Sequence, residues 1–355
     1  GLTITDVPLW IINDPKTDFG AYVYDLQGST YTVSQDSTSV SGISDGGEAP
    51  TSSGNGAAYY DNYLYVAQGT DISRYGPLNG TAAWTHRYWT STLGKTALTN
   101  TTYPAATAAM TSGSRSSRAS YPSHVLHRHS DGRLYIADVV GNQGSVSFIQ
   151  TSKTSVEGDT DNGSTYNKLT FGYGLWPTAM ESYGTDLVIA LFEGKNTSQK
   201  RFPGSKLAFW DTTSTNANKI IWVEFPDMII SALKNINGVL YVISGNTFAR
   251  GFRVSRFVGG YTVEEIAYSE TGVTPFAGAV TGTAHRLLFG SWTTVPETAA
   301  CIYSLGLQKR SLGTGLFTTM RVNSTVSSTA VYSLGMTESQ AFSFHTPIVG
   351  WSEDS

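Results

Sequence analysis

Short runs in which apolar and polar residues alternate recur along the chain and predict β-strands joined by tight turns. The clearest run, residues 239–243, follows the pair Asn237-Gly238, and such a pair is the strongest short signal for a β-hairpin. Strand side chains alternate between two faces, whereas a helix would place apolar residues three to four apart. The chain is therefore predicted to be all-β.

The same sequence phrase recurs at intervals of roughly 50 residues, which is the spacing of propeller blades. Each copy starts with a leucine followed by branched, aromatic or small residues; the leading residues are Leu9, Leu64, Leu134, Leu187, Leu240 and Leu287. Most copies follow a turn and precede a second alternating strand, and a short strand rich in small residues lies ahead of most turns. Three to four antiparallel strands per repeat predict a β-propeller of about six blades, with seven as the alternative.

The two ends of the chain bear on how such a ring would close. Residues 1–335 are predicted to form the propeller, and residues 336–355 either a closing strand or the start of a further C-terminal segment. The apolar runs 331–334 and 341–344 would complete a blade with the N-terminal strands or form a seventh blade. Closure matters because it removes exposed strand edges.

Composition and charge narrow the function. The 355 residues carry a net charge of −4, and only 14% of them are charged. Nucleic-acid binding needs a concentrated basic face, so no nucleic-acid specificity is predicted. No run approaches the ~20 apolar residues that span a bilayer, so no membrane span is predicted. The polar segments 94–120 and 151–167 are predicted to be exposed loops where partners bind.

Three histidines, His124, His127 and His129, fall on a predicted innermost strand. On a strand, His127 and His129 point to one face and could share a Zn²⁺ ion, whereas His124 would join them only through a bulge. Hydrogen-bonded histidines are the preferred interpretation. Counting back seven residues from the leading leucines places four residues at equivalent inner positions, namely His127, Met180, Leu233 and Val280. Only His127 is polar, so it is the first place to look for a ligand.

A second weak metal candidate is the acidic turn that contains Asp159 and Asp161. Its Asp-x-Asp opening resembles a Ca²⁺ loop, but Gly163 occupies the third ligand position and no glutamate closes the loop. A solvated turn is the preferred interpretation. No cofactor is predicted, with Ca²⁺ and Zn²⁺ as the alternatives.

Catalytic motifs are absent from the sequence, since it contains no nucleophile elbow and no phosphate-binding glycine loop. Glycoside hydrolysis would need two carboxylates across a cleft, and the candidates near inner strands are Glu181, Asp138 and Glu193. The protein is therefore predicted not to be an enzyme, with a propeller glycoside hydrolase as a less favoured alternative.

Aromatic clusters are the candidates for ligand or partner binding. Tyr88 and Trp89 form one group with Trp84 and His86, and Trp176 forms another with Tyr173. Exposed rings of this kind stack on sugars, while packing between blades is the preferred interpretation for aromatics at alternate strand positions.

Four phrases, at residues 171–177, 206–213, 234–238 and 259–266, resemble phrases in β-propeller virion proteins of tailed bacteriophages. The resemblance covers about residues 170–320 and includes no catalytic motif. It implies a non-enzymatic structural or attachment role in the virion, with other virion proteins as partners in a symmetric oligomer. The alternative is a secreted or surface propeller that binds a host-surface glycan.

Overall fold

A computed structural model describes most strands of the protein and some of their connections. The described residues are 7–13, 21–27, 30–35, 38–43, 56–68, 71–94, 98, 125–140, 143–149, 168–193, 204–215, 219–226, 228–246, 252–269, 280–290, 301–307, 316–321, 329–338 and 345–353. For residues 7–43 and 316–353, the description covers the backbone of the strands alone.

The strands of the first half form three antiparallel sheets, each with four strands in chain order. Sheet I consists of β1 (Val7–Asn13), β2 (Ala21–Gln27), β3 (Thr30–Gln35) and β4 (Thr38–Ile43). Sheet II consists of β5 (Gly56–Tyr60), β6 (Tyr63–Gln68), β7 (Asp71–Gly76) and β8 (Ala83–Thr85), followed by a π-helical turn, Tyr88–Thr92. Sheet III consists of β9 (Val125–Arg128), β10 (Leu134–Val140), β11 (Gln143–Ile149) and β12 (Leu169–Tyr173).

The second half repeats this plan three times and ends in a hairpin. Sheet IV consists of β13 (Leu175–Tyr183), β14 (Asp186–Glu193), β15 (Ser205–Trp210) and β16 (Ile221–Phe225). Sheet V consists of β17 (Met228–Ile236), β18 (Val239–Asn246), β19 (Phe252–Phe257) and β20 (Val263–Ser269). Sheet VI consists of β21 (Val280–Gly282), β22 (Arg286–Gly290), β23 (Cys301–Gly306) and β24 (Leu316–Arg321), and the hairpin, sheet VII, of β25 (Thr329–Glu338) and β26 (His345–Glu353).

The chain divides into two compact units, and the division falls inside β17. Unit 2 spans residues 50–230 and contains sheets II, III and IV. Unit 1 spans residues 1–49 and 231–355 and contains sheets I, VI and VII with nearly all of sheet V. Among the described residues, no helix is long and apolar enough to cross a bilayer.

In unit 2, the first strands of successive sheets lie against one another. Strand β5 contacts β9, and β9 contacts β13, so the first strand forms the inner edge of each sheet and the fourth strand lies at the opposite edge. The second strands are buried along most of their length, and β10 shows the cause, because a sheet packs on each side of it. In β10, Leu134 and Ile136 belong to the core shared with sheet II, whereas Tyr135 and Ala137 belong to the core shared with sheet IV.

Unit 1 is built in the same way. Tyr241 and Ile243 of β18 share one core with Leu287 and Phe289 of β22, so sheets V and VI pack face to face. Strand β25 of the hairpin contacts both β21 and β1. First strands gathered at one edge and buried second strands beside them are the arrangement of propeller blades.

Tight turns with left-handed backbone connect first and second strands where the sequence predicted them. Asn237 and Gly238 have φ values of 52° and 78°, and Asp61 and Asn62 have φ values of 45° and 65°. These residue types tolerate positive φ, which hairpins need to match the twist of their strands. The predicted turn at Asn237-Gly238 is confirmed.

The leucine repeat is confirmed in five sheets and wrong in the first. Five of the leading leucines lie in second strands, namely Leu64 in β6, Leu134 in β10, Leu187 in β14, Leu240 in β18 and Leu287 in β22. Leu9 lies in β1, which is the first strand of sheet I. Among the described residues, no strand precedes β1 in sheet I. The alternating run Ala21 to Tyr24, which follows the Leu9 copy, therefore lies in the second strand of its sheet, whereas the corresponding runs of the other copies lie in third strands.

The C-terminal hairpin pairs with itself. The predicted strand at residues 331–334 lies in β25, whereas residues 341–344 lie outside the described residues. Among the described strands, β25 hydrogen-bonds with β26 only, and sheet I is complete with its own four strands. The hairpin therefore does not add a strand to the N-terminal sheet. The proposed boundary at residue 335 falls within β25 and stays a prediction.

Candidate functional site

The histidines singled out in the sequence lie at the inner edge of sheet III, where it meets sheet IV. His127 is in β9, and its pairing partner in β10 is Tyr135. Met180 pairs with Ile189, and Val280 pairs with Phe289. Both of these partners lie two residues after the leading leucine of their strand. The residue of β9 in that register is Leu126, which pairs with Ile136. The predicted equivalence of His127 with Met180 and Val280 is therefore wrong by one residue.

Turn length explains this shift. The β13–β14 connection consists of two residues, because Tyr183 pairs with Asp186. The β9–β10 connection is longer, because Arg128 pairs with Leu134 across residues 129–133. The extra residues move His127 into the register of Glu181. Each of the two pairs with the residue that follows the leading leucine of its sheet, His127 with Tyr135 and Glu181 with Val188.

His127 and His129 converge on a single hydroxyl, that of Ser182 in β13. The distance from His127 Nε2 to Ser182 Oγ is 2.9 Å, and that from His129 Nδ1 to the same atom is 2.8 Å. The prediction that the two rings share a face is thus confirmed. Their meeting point is the side chain of a residue in the neighbouring sheet.

One further contact fixes the proton positions in this chain of hydrogen bonds. His129 Nε2 lies 3.2 Å from the carbonyl oxygen of Thr185, which can only accept, so Nε2 carries a proton. In the neutral ring Nδ1 is then an acceptor, and Ser182 Oγ–H donates to it. With the hydroxyl proton given to His129 in this arrangement, the contact with His127 is one in which Nε2–H donates to Ser182 Oγ.

The ring of His129 is held on its other sides as well. Its side chain is only 2% exposed, and it meets the Tyr135 ring edge-on, with centroids 5.8 Å apart. Asp186, the first residue of β14, is close enough to interact electrostatically with His129. Burial raises the pKa of Asp186 and the charge of Asp211 adds to this, whereas His129 acts in the opposite direction.

Glu181 completes the cluster on its more open side. Its Oε1 accepts the backbone N–H of Ser182 at 3.0 Å and lies 3.8 Å from His127 Nε2. The side chains of His127 and Glu181 are 18% and 13% exposed, so both reach the surface of the site. The cluster therefore has a buried end at His129 and a partly accessible end at His127 and Glu181.

The three carboxylates proposed for glycoside hydrolysis have different partners. Asp138 is buried in β10 and accepts the backbone N–H of Val139 at 2.7 Å. Glu193 forms an ion pair with Lys206 at 3.2 Å. Glu181 belongs to the histidine cluster.

The two candidate metal sites, the histidine strand and the acidic turn, are placed differently by the structure. Within the described part of the chain, no group of three histidine, cysteine, aspartate or glutamate side chains is placed to hold a metal ion. His127 and His129 instead bond to Ser182. His124, Asp159 and Asp161 lie outside the described residues, and so do most of residues 94–120 and 151–167.

The three principal aromatic candidates are buried, as the preferred packing interpretation expects and not as stacking on a sugar would need. Tyr88 and Trp89 have 0% exposure and Trp176 has 3%, so none presents a ring face to a sugar. Tyr88 and Trp89 are buried because the chain makes a π-helical turn there: Leu93 N–H donates to the Tyr88 carbonyl at 2.9 Å. Asp71 anchors this turn because its carboxylate accepts hydrogen bonds from both the backbone N–H and the hydroxyl of Thr90. Tyr173, in contrast, is exposed.

Chemically, the site is a hydroxyl whose proton is held by an oriented imidazole. A hydroxyl beside a base that a third group orients is the arrangement that activates a nucleophile. Sequence reasoning missed Ser182 because nothing in its neighbourhood forms a motif and it lies more than 50 residues from both histidines. The only signal available was its position next to Glu181.

Comparison with known proteins supports the fold and leaves the function open. No family model matches the chain, and no curated protein matches its sequence. Among solved structures, a putative 6-phosphogluconolactonase from Bacteroides uniformis has 12% identity and a TM-score of 0.53, over 91% of this chain and 88% of that one. A protein from Lactobacillus plantarum has 13% identity and a TM-score of 0.51, over 88% and 84% of the two chains. The N-terminal domain of Nup159 has 8% identity and a TM-score of 0.46, over 99% and 93%.

The architecture and the likenesses to the first two of these structures together define the class. The protein is an all-β propeller assembled from four-stranded antiparallel blades. At such low identity the likeness concerns the fold, since one fold serves many functions.

Proposed function

We propose that the protein is a structural or attachment component of a tailed phage particle that works by making protein contacts. The contacts would be made by the fourth strands of its blades and by its long loops, and this role needs no catalysis. The phage assignment rests on the sequence phrases at residues 171–266. The contact role rests on where the protein exposes large apolar side chains.

Every large apolar side chain that is exposed in the described residues lies on a fourth strand or on the turn leading to one. The five residues are Tyr173, Ile221, Val258, Tyr261 and Tyr268. Tyr173 ends β12 and Ile221 begins β16, while Tyr268 lies in β20, and Val258 and Tyr261 lie in the β19–β20 turn. This confinement carries the proposal, because exposed aromatic residues concentrated at one edge are typical of protein-binding surfaces.

The charges along the same strands are paired. Lys206 of β15 lies 3.1 Å from Glu224 of β16. In sheet V, Arg256 lies 2.9 Å from Glu264, and Arg253 lies 3.3 Å from Glu265. Exposed pairs of this kind contribute little stability, but they leave the edge weakly charged. A weakly charged edge with exposed tyrosines suits a protein partner better than a polyanion.

We also propose that the ring has seven blades, with the hairpin β25–β26 as a two-stranded seventh. Six four-stranded sheets and this hairpin are present among the described strands. Within unit 1, β25 contacts β21 on one side and β1 on the other, as a first strand between two blades would.

Mass spectrometry of purified phage particles tests the assignment. Particles produced from a genome that encodes this chain should contain it in a fixed copy number relative to the major capsid protein. A non-structural protein expressed from the same genome serves as the control for contamination. If the chain is found in the lysate but is depleted from the particles to the level of that control, the proposed role is wrong.

A further inference from the structure

We infer that Ser182 is a nucleophile that accepts small acyl groups from carboxylic esters, with His129 as its general base. This activity goes beyond the proposed contact role, because it resides at the inner edges of sheets III and IV and uses none of the exposed fourth-strand residues. It also differs from the glycosidase alternative considered for the sequence, which would have used a pair of carboxylates.

The first support is the direction of the hydrogen bonds. Because His129 Nε2–H is committed to the Thr185 carbonyl, the lone pair of Nδ1 points at Ser182 Oγ, 2.8 Å away. This distance lies within the range over which a base removes a proton. The Thr185 carbonyl takes the orienting role that a carboxylate takes in many hydrolases.

The second support is the environment of the base. Proton transfer leaves His129 positively charged with N–H groups at both nitrogens, and Nε2–H keeps its bond to Thr185 throughout. Asp186 interacts electrostatically with His129, so its carboxylate would stabilise the imidazolium that forms. The Tyr135 ring holds the imidazole against rotation through an edge-on contact.

The third support is His127, which donates Nε2–H to the same oxygen at 2.9 Å. A donor aimed at Oγ favours the deprotonated form of this oxygen and so assists removal of its proton. Glu181 Oε1, at 3.8 Å from that nitrogen, favours the donor form of His127. Ser182 Oγ therefore has a base on one side and a donor on the other.

The reaction balances with water as the only co-reactant. As the bond from Ser182 Oγ to the acyl carbon forms, the Oγ–H proton passes to His129 Nδ1. When the ester C–O bond breaks, that proton passes to the departing alkoxide, which leaves as an alcohol. Water then attacks the acyl carbon and gives a proton to His129 Nδ1. Cleavage of the acyl–Oγ bond returns this proton to Ser182 and releases the carboxylic acid.

The substrate class follows from access and from the leaving group. His127 and Glu181, at the open end of the cluster, are only 18% and 13% exposed, and this restricted access favours a small acyl group. An alcohol leaves without a dedicated acid more readily than an amine does. Small esters are therefore expected in preference to peptides.

The test uses an alkyl fluorophosphonate, which forms a covalent adduct with activated serines, on the purified full chain. Intact mass should show one adduct, and peptide mapping should place it on Ser182. With His129→Asn, which keeps a polar group but cannot take the proton, labelling should slow by about 100-fold. With Ser73→Ala, which removes a buried serine hydroxyl of sheet II that accepts the backbone N–H of Arg87, labelling should be unchanged.

Hydrolysis of p-nitrophenyl acetate provides the second readout. The wild-type protein should turn over this ester, and Ser182→Ala should not. The adduct is mapped on the wild-type chain, so the result does not depend on whether a variant folds. Absence of an adduct on Ser182 in protein that melts cooperatively would overturn the inference, and so would equal turnover by a folded Ser182→Ala protein. Neither outcome affects the proposed contact role, which is measured on particles.

Discussion

Tyr135 combines packing and polar contacts in one side chain. Its ring meets Trp210 edge-on with centroids 5.7 Å apart and Phe148 at 5.6 Å, so it belongs to the core between sheets III and IV. Its hydroxyl donates to Asp131 Oδ2 at 2.7 Å. Burial, and next the hydrogen bond to Asp131, raises the pKa of Tyr135 to about 12. The residue thus joins the β9–β10 turn to the core beneath it.

Replacing Tyr135 with phenylalanine isolates the hydroxyl from the ring. At pH 7, Tyr135→Phe should lower the free energy of unfolding by about 1.5–3 kcal/mol, since a hydrogen bond to a charged acceptor is lost. The folded pKa exceeds the unfolded one, so this titration stabilises the fold below pH 10, and the contribution is lost as the pH rises through about 12. Urea unfolding at pH 7, 10 and 11.5 measures both effects.

Other tyrosines with raised pKa values remain in both proteins, so the difference between them is the informative quantity. The wild-type protein should lose more stability than Tyr135→Phe between pH 10 and pH 11.5. Equal losses would mean that Tyr135 does not keep its proton in the fold.

At the scale of residues, the sequence predicted that the side chains of His127 and His129 share one face, but it did not predict that Ser182 is their common partner. Alternation along a strand is a local property, so the shared face could be predicted from two positions. Ser182 lies 55 residues from His127 and 53 from His129 along the chain. Contacts across that separation depend on how sheet III packs on sheet IV, which no local pattern specifies.

At the scale of elements, sheets III and IV approach each other closely at Gly144 in β11. A Cβ atom at this position would lie 2.5 Å from the backbone carbonyl oxygen of Leu175 and 2.8 Å from Pro177 Cδ. Neither atom is the end of a flexible side chain, so an added methyl group would push the two sheets apart. Glycine at this position is thus a requirement of sheet packing.

Gly144→Ala should therefore destabilise the protein by about 1–3 kcal/mol, the usual cost of overpacking. Gly172→Ala, in the neighbouring strand β12, is the matched control, because a Cβ there meets only Leu175 Cδ1 at an ordinary 3.8 Å. Thermal unfolding followed by circular dichroism compares the two. A control that loses as much stability as Gly144→Ala would contradict the packing argument.

The elements themselves were largely predictable, and the errors have physical causes. Second strands carry the leucine repeat because they are buried on both faces, which imposes an apolar run on the sequence. Sheet I departs from the register because its first strand is as apolar in sequence as a second strand, so the pattern at Leu9 does not distinguish the two. Tyr88 and Trp89 are buried together because they lie in a π-helical turn, whereas strand alternation would expose one of them.

At the scale of the whole molecule, class and function rest on different evidence. Repeat spacing predicted a propeller, and the four-stranded sheets and structural likenesses agree with it. The exposed tyrosines of the fourth strands could not be identified in advance, because an exposed tyrosine and a buried one look alike in a strand pattern. Tyr173 and Tyr268 are 57% and 62% exposed, whereas Tyr135 is fully buried.

The most direct test of the contact role is the number of chains per purified particle when Tyr173 and Tyr268 are both replaced by serine. A tyrosine at the centre of an interface contributes about 2 kcal/mol, so incorporation should fall by at least about tenfold. Thr170→Ser, an exposed change on β12, is the control and should leave incorporation unchanged. Wild-type incorporation of a natively folded double variant would contradict a role for the fourth strands in assembly.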